Sequence, residues 1–228
     1  MGRLPIICRQ ASCRQRLVQR MGEKGLRFVG ATTVHPSKVI SGEILSADLV
    51  TLAPGDELPA WVLNDLRTDH AGEVGAICIY QGILKFARDQ ALRSFAEHHL
   101  ATEQKHLSLI IGWLPPAQFS RLLPMWRIAR FLTGALPSLF GPKAVYATIE
   151  AVETFVNLHY GDQIRRLATK PELNGLRKTL LDCQADELAH RNEAAVARGP
   201  TRPGVFLRAW CSMVRAGSGA AVSLIRYI

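Results

Sequence analysis

Two Glu-x-x-His pairs, Glu103 with His106 and Glu187 with His190, are the side chains of this 228-residue sequence best suited to chemistry. A Glu and a His three positions apart lie one above the other on the same face of a helix. A metal ion can therefore take a carboxylate oxygen and an imidazole nitrogen from one helix without distorting its backbone. No other Glu in the sequence has a His three positions after it. Each pair is also preceded by a further carboxylate: Glu73 stands 30 residues ahead of Glu103, and Glu153 stands 34 ahead of Glu187. That distance is one helix, a short turn and part of the returning helix. The chain reads Glu…Glu-x-x-His twice, as an internal duplication would.

The elements needed to bring these six side chains together are four helices. A Glu from each of two, and Glu-x-x-His from each of the others, make the two-metal carboxylate site of ferritin-like bundles. The expected fold is therefore all-α, a ferritin-like four-helix bundle with an internal duplication. The faces agree, because Ala96, Leu100 and Ile110 share the stripe of Glu103, and Ile149, Val156 and Tyr160 share that of Glu153. A carboxylate projecting from an apolar stripe is costly unless a cation or hydrogen bonds neutralise it. Four carboxylates converging with two imidazoles balance two divalent metals. Glu150 lies one turn from Glu153 on the same face, so spacing alone allows either as the ligand. Asp69 and His70 lie one turn before Glu73, and His99 one turn before Glu103, where they are placed to support or compete with the ligands.

The expected helices follow from their punctuation. Pro59 opens the first, to about residue 87, and the second runs from about 89 to 112, before Leu114-Pro115-Pro116. The third starts after Gly141-Pro142 and reaches about 169. Pro171 suits the first turn of the fourth, which ends near Gly199-Pro200. Two further stretches are apolar and basic. Residues 117–141 carry Phe119, Met125, Trp126, Ile128, Phe131 and Phe140 with only Arg as charge, and Pro124 and Pro137 limit the helix length. Residues 203–228 form a last helix, expected to be interrupted at Gly217 and Gly219. Both patterns suit a helix lying in a membrane interface, with anionic lipid as the partner.

The net charge of +9 is unevenly placed. Residues 1–22, 104–149 and 194–228 contain no Asp or Glu, and the acidic remainder holds all the candidate ligands except His106. Aromatic-interleaved basic motifs and zinc-finger spacings are absent, which argues against nucleic acid as a partner. Five scattered Cys without a Cys-x-x-Cys pair suggest reduced thiols. No apolar run is long enough to span a bilayer. Residues 1–56 read as a basic leader and loop, Arg-rich and acid-poor at the start like a mitochondrial transit peptide or a disordered extension. Residues 57–228 read as the catalytic domain.

The stretch Leu66-Arg67-Thr68-Asp69-His70-Ala71-Gly72-Glu73-Val74-Gly75-Ala76 resembles the demethoxyubiquinone monooxygenase family of ubiquinone biosynthesis. So do Ile149-Glu150-Ala151-Val152-Glu153 through His159-Tyr160, and Asp186-Glu187-Leu188-Ala189-His190. The likeness covers roughly residues 60–228. It implies Glu73, Glu103, His106, Glu153, Glu187 and His190 as ligands of two iron ions, with Glu153 rather than Glu150 and with Glu103 and Glu153 touching both metals. It also implies that His159 and Tyr160 serve hydrogen bonding or electron delivery near the site.

The implied reaction is hydroxylation of a polyprenyl methoxy-methyl-benzoquinol by O2. Dioxygen needs two electrons before one oxygen enters an aromatic ring, a task that two irons can share and zinc cannot. Reducing equivalents would come from NADH or from the quinol itself. No glycine-rich dinucleotide fingerprint is present, so contact with NADH would be transient. The resemblance further implies a peripheral protein on the cytoplasmic face of a bacterial membrane or the matrix face of the mitochondrial inner membrane. A lipid-presenting accessory protein would be a partner. The competing functions are a ferritin-like iron-storage, ferroxidase or peroxide-handling protein, and a non-catalytic prenyl-lipid-binding scaffold.

Overall fold

The computed structural model describes residues 51–228, so most of the basic leader and loop expected at 1–56 lies outside the described residues. The described residues form six helices and no strand. Helix α1 (Ala60–Phe86) follows Pro59, and α2 (Gln90–Trp113) is capped by Asp89, whose Oδ1 accepts the Leu92 N–H at 2.8 Å. Helix α2 stops where Leu114, extended ahead of Pro115, leaves the helical region. Helix α3 (Leu123–Ser138) keeps Pro124 in its first turn, where no N–H is required, and Pro137 in its last. Gly141, at φ +95°, turns the chain so that Pro142 can open α4 (Pro142–Leu167).

Two expectations are corrected. Pro171 lies in a 3-10 turn, Pro171–Leu173, and α5 (Asn174–Arg198) begins after it. Helix α6 (Val205–Ile225) runs unbroken through Gly217 and Gly219. A helical glycine costs only about 1 kcal/mol, and α6 offsets this by burying Val214, Ser218 and Ile225 as it packs along α4.

The pair α1–α2 and the pair α4–α5 make the bundle, while α3 lies on α1 and α6 on α4. Helices α1 and α3 cross at two glycines. A Cβ on Gly82 would collide with the Phe131 carbonyl, and one on Gly134 with the Ile79 carbonyl. Two apolar clusters fill the interior. One gathers Val62, Leu66, Ile110, Tyr160, Leu176 and Leu180; the other gathers Ile79, Tyr80, Ile83, Leu92, Ile149 and Val152. Along each bundle helix, the ligand carboxylates lie between members of the two clusters, so the polar layer is sealed at both ends. Among the described residues, no helix is long and apolar enough to cross a membrane. The outward faces of α3 and α6 are nevertheless apolar: Ile128, Leu132 and Leu136 are exposed on the first, and Phe206, Met213 and Leu224 on the second. Cys78, Cys183 and Cys211 are free thiols.

Candidate metal centre

All six expected ligands meet in one layer, none more than 4% exposed. Glu73 comes from α1, Glu103 and His106 from α2, Glu153 from α4, and Glu187 and His190 from α5. Their donor atoms fall into two groups able to hold a cation: Glu73, Glu103, His106 and Glu187, and Glu103, Glu153, Glu187 and His190. Within each group, the donor atoms lie inside 4.8 Å of one another. Glu103 and Glu187 belong to both groups and Glu153 to one, whereas the expectation paired Glu103 with Glu153. The shared pair is the two carboxylates of the Glu-x-x-His pairs, on α2 and α5, whereas Glu73 on α1 and Glu153 on α4 each belong to one group.

The atoms are close but only partly satisfy one another: His106 Nδ1 lies 3.2 Å from Glu187 Oε1, within hydrogen-bonding distance. Nδ1 of His190 lies 3.1 Å from Glu103 Oε1 and 3.4 Å from Glu187 Oε2. Nδ1 of His106 lies 3.7 Å from both Glu73 Oε2 and Glu103 Oε2. Yet Glu73 Oε2, both oxygens of Glu103, Glu187 Oε2 and His190 Nδ1 lack a hydrogen-bond partner. Lone pairs of buried carboxylates and imidazoles aimed at common points fit cations placed between them.

The electrostatics agree. Burial raises Glu73 well above the usual carboxylate range, helped by the Glu103 and Glu187 charges. Burial does the same to Glu153, helped by Glu187 and Glu103. Burial alone would lower both candidate imidazoles, but the adjacent Glu103 and Glu187 carboxylates push His106 up to about 12 and His190 up to about 9. Glu187, which burial alone would raise, is drawn down to about 2 by the adjacent His106 and His190 imidazoles. Without a cation, this layer draws positive charge from protons, which is the demand that two divalent ions meet.

Surrounding side chains hold the ligands. The Tyr160 hydroxyl donates to Glu73 Oε1, and the Tyr80 hydroxyl approaches Glu153 Oε1 at 3.5 Å. Asp186 Oδ2 lies 3.1 Å from Nε2 of His106, favouring the tautomer with its proton there and leaving Nδ1 free for a metal. The roles of Asp186 and Tyr80 were not evident from sequence, although Asp186 is the residue before Glu187. His159 is not a neighbour of the ligands in the same sense as Tyr160. Its Nε2 lies 3.0 Å from Thr68 Oγ1 and 3.2 Å from Asp69 Oδ1, so Asp69 serves His159 rather than a ligand. His70 stacks on Phe119 with ring centroids 3.8 Å apart. His99 stands edge-on to His190 at 4.0 Å, and burial holds it down to about 3, so it remains neutral and outside both metal groups. Glu150 accepts from Arg198 Nε at 2.7 Å and does not join the layer.

A family model described as ubiquinone biosynthesis protein COQ7 matches residues 61–225, the whole span from α1 to α6. The chain belongs to this family. A 3-demethoxyubiquinol 3-hydroxylase of Rhodospirillum rubrum is 38% identical over 143 residues, covering 61% of this chain and 66% of the relative, just under two thirds of its length. The corresponding Nitrosospira multiformis protein is 30% identical over 167 residues, covering 66% of this chain and 76% of the relative. An NADPH-dependent 3-demethoxyubiquinone 3-hydroxylase of Caenorhabditis elegans mitochondria is 28% identical over 170 residues, covering 72% of this chain and 88% of the relative.

In this COQ7-family chain a narrow cavity of about 30 Å³ reaches Glu73 from the side where α3 and α6 meet. Asp69, His159 and Tyr160 line it on one side, and Trp126, Arg130 and Ser218 on the other. His159 is thus a wall of the approach, and Tyr160 connects that wall to a ligand.

Proposed function

We propose that this COQ7-family protein is an O2-dependent di-iron monooxygenase that hydroxylates demethoxyubiquinol, a polyprenyl methoxy-benzoquinol, in ubiquinone biosynthesis. The observation that carries the reading is the pair of four-residue groups sharing Glu103 and Glu187, because two metals held in common can act on one O2 molecule. Bound there, a pair of irons supplies the electrons that O2 must accept before one of its atoms enters the ring. Glu73, Glu103 and His106 would hold one ion and Glu153, Glu187 and His190 the other, with Glu103 and Glu187 reaching both.

The chain's other side chains serve this centre. Tyr160 and Tyr80 fix the outer carboxylates, and Asp186 orients His106. The two apolar clusters keep water from the layer, which limits loss of reactive species. The cavity beside Glu73 is the approach for the substrate ring, and His159 lies on it, suited to moving a proton or relaying an electron. The exposed apolar faces of α3 and α6 support peripheral attachment to the membrane that holds a polyprenyl substrate. The reductant is NAD(P)H or the quinol, and a lipid-presenting protein is the expected accessory partner.

The test is aerobic turnover of the iron-loaded protein on a demethoxyubiquinol analogue under 18O2. Label in the new ring hydroxyl is expected, with loss of product in Glu187→Ala and His190→Ala. Iron oxidation and mineralisation without ring hydroxylation would reject the reading in favour of a storage or ferroxidase role.

A further inference from the structure

Arg130 is a buried cation that the chain itself leaves under-partnered. It projects from α3 into the interior, 5% exposed, and lines the cavity that ends at Glu73. Its Nη1 donates to Ser218 Oγ on α6 at 3.2 Å, and its guanidinium lies over the Trp126 ring at 4.7 Å. Its Nε has no hydrogen-bond partner. Among the described residues, no carboxylate stands within ion-pair distance of it, and Glu153 acts on it only from farther away. Burial lowers its pKa only to about 10, so it stays charged at neutral pH. An enclosed guanidinium has five N–H donors to satisfy, and leaving one unmatched is costly. A purely structural role would be filled more cheaply by an apolar side chain of similar length.

We propose that Arg130 is a substrate-binding residue that donates to a ring oxygen of the quinol or quinone, holding the ring beside Glu73. This rests on the quinol reading above. The cavity of about 30 Å³ holds a water or two and no ring, so admission requires α3 and α6 to part. The Arg130–Ser218 hydrogen bond joins those two helices across the cavity. A ring oxygen arriving there meets the free Nε, and the Nη1 donor released from Ser218 by opening is left for a second oxygen of the ligand. The planar fork of Arg suits an oxygen at the edge of a flat ring. Trp126 also donates its indole N–H to the Ala71 carbonyl at 2.7 Å, which fixes the surface on which the guanidinium rests.

The experiment titrates the full chain with a benzoquinone bearing two methoxy groups and one prenyl unit, and separately with farnesol, which has a tail and no ring. Tryptophan fluorescence reports binding, because Trp126 lines the cavity. Arg130→Met is expected to weaken quinone binding roughly ten- to a hundred-fold, the range for a charge-assisted hydrogen bond, and to leave farnesol binding unchanged. Arg130→Lys, which keeps the charge without the fork, should fall between the two, and it carries the test if the Met variant loses its helical circular dichroism. Unchanged quinone affinity in both variants overturns the assignment while leaving the proposed function standing, and equal losses for quinone and farnesol overturn it as a structural effect. Failure of the unaltered protein to bind the quinone rejects the quinol reading and the Arg130 assignment together.

Discussion

Asp186 supports His106 from behind: its Oδ2 lies 3.1 Å from Nε2, the ring nitrogen turned away from Glu73, Glu103 and Glu187. Lys105, 3.9 Å away, is the other charged neighbour of that carboxylate. An outer carboxylate of this kind fixes ring orientation and tautomer, and its loss typically lowers metal affinity or activity about 10–100-fold. Asp186→Ala should therefore bind iron more weakly by that order while keeping its helical content, as read by titration with a competing chelator.

Sharing of Glu103 and Glu187 between the two groups predicts a pattern of stoichiometry. Glu103→Ala and Glu187→Ala should each disturb both positions, and metal analysis should find fewer than one ion per chain. Glu153→Ala should retain the ion held by Glu73, Glu103, His106 and Glu187. Glu150→Gln should retain the full complement, because Glu150 is engaged by Arg198 outside the layer.

His70 makes the fold acid-sensitive in a defined window. Burial depresses its pKa from 6.5 to about 4, so below pH 6.5 the unfolded chain takes up a proton that the folded chain refuses. The stabilisation is complete above that pH and is lost as pH falls toward 4, where it amounts to about 3 kcal/mol. His70→Phe keeps the stack on Phe119 without the titration. Its melting temperature should fall less steeply than that of the unaltered protein between pH 6.5 and 4.

The α1–α3 crossing should tolerate no added methyl group. Gly134→Ala sets a Cβ against the backbone carbonyl of Ile79, which cannot rotate away as a side-chain end would. A loss of about 1–3 kcal/mol is expected from such overpacking, measured by denaturant unfolding. Gly72→Ala, where a Cβ meets nothing within 4 Å, is the control.

Membrane attachment through α3 and α6 predicts that charge on their outer faces detaches the protein. Ile128 is 65% and Phe206 89% exposed, so glutamate at both positions should leave the fold intact. Cosedimentation with anionic vesicles should drop for the double variant, and turnover on a water-soluble short-tailed quinol should not.

Much of the site was legible because helical geometry is local. The three-residue interval in Glu103–His106 and Glu187–His190 puts both donors on one face whatever surrounds them, and the 30- and 34-residue intervals imply a return to the same level. Helix ends were equally readable at Pro59, Pro115, Gly141 and Gly199, where a barred or special backbone conformation acts within a few residues. The glycines of α6 were misread because their propensity cost is small beside the packing of Val214 and Ile225, which are distant in sequence from what they touch.

The sequence by itself therefore determined most of the helices, the two repeats and the candidate metal-binding side chains apart from the choice between Glu150 and Glu153, since each follows from spacing along one chain segment. Only the tertiary structure decided that Glu187 rather than Glu153 joins Glu103 in both groups, that Glu150 turns away to Arg198, and that Arg130 lines the cavity at Glu73. Those outcomes depend on how far each helix is rotated and shifted against its neighbours. Rotation and shift are set by packing summed over many contacts, such as the glycine crossing of α1 and α3, and no short run of residues contains that sum.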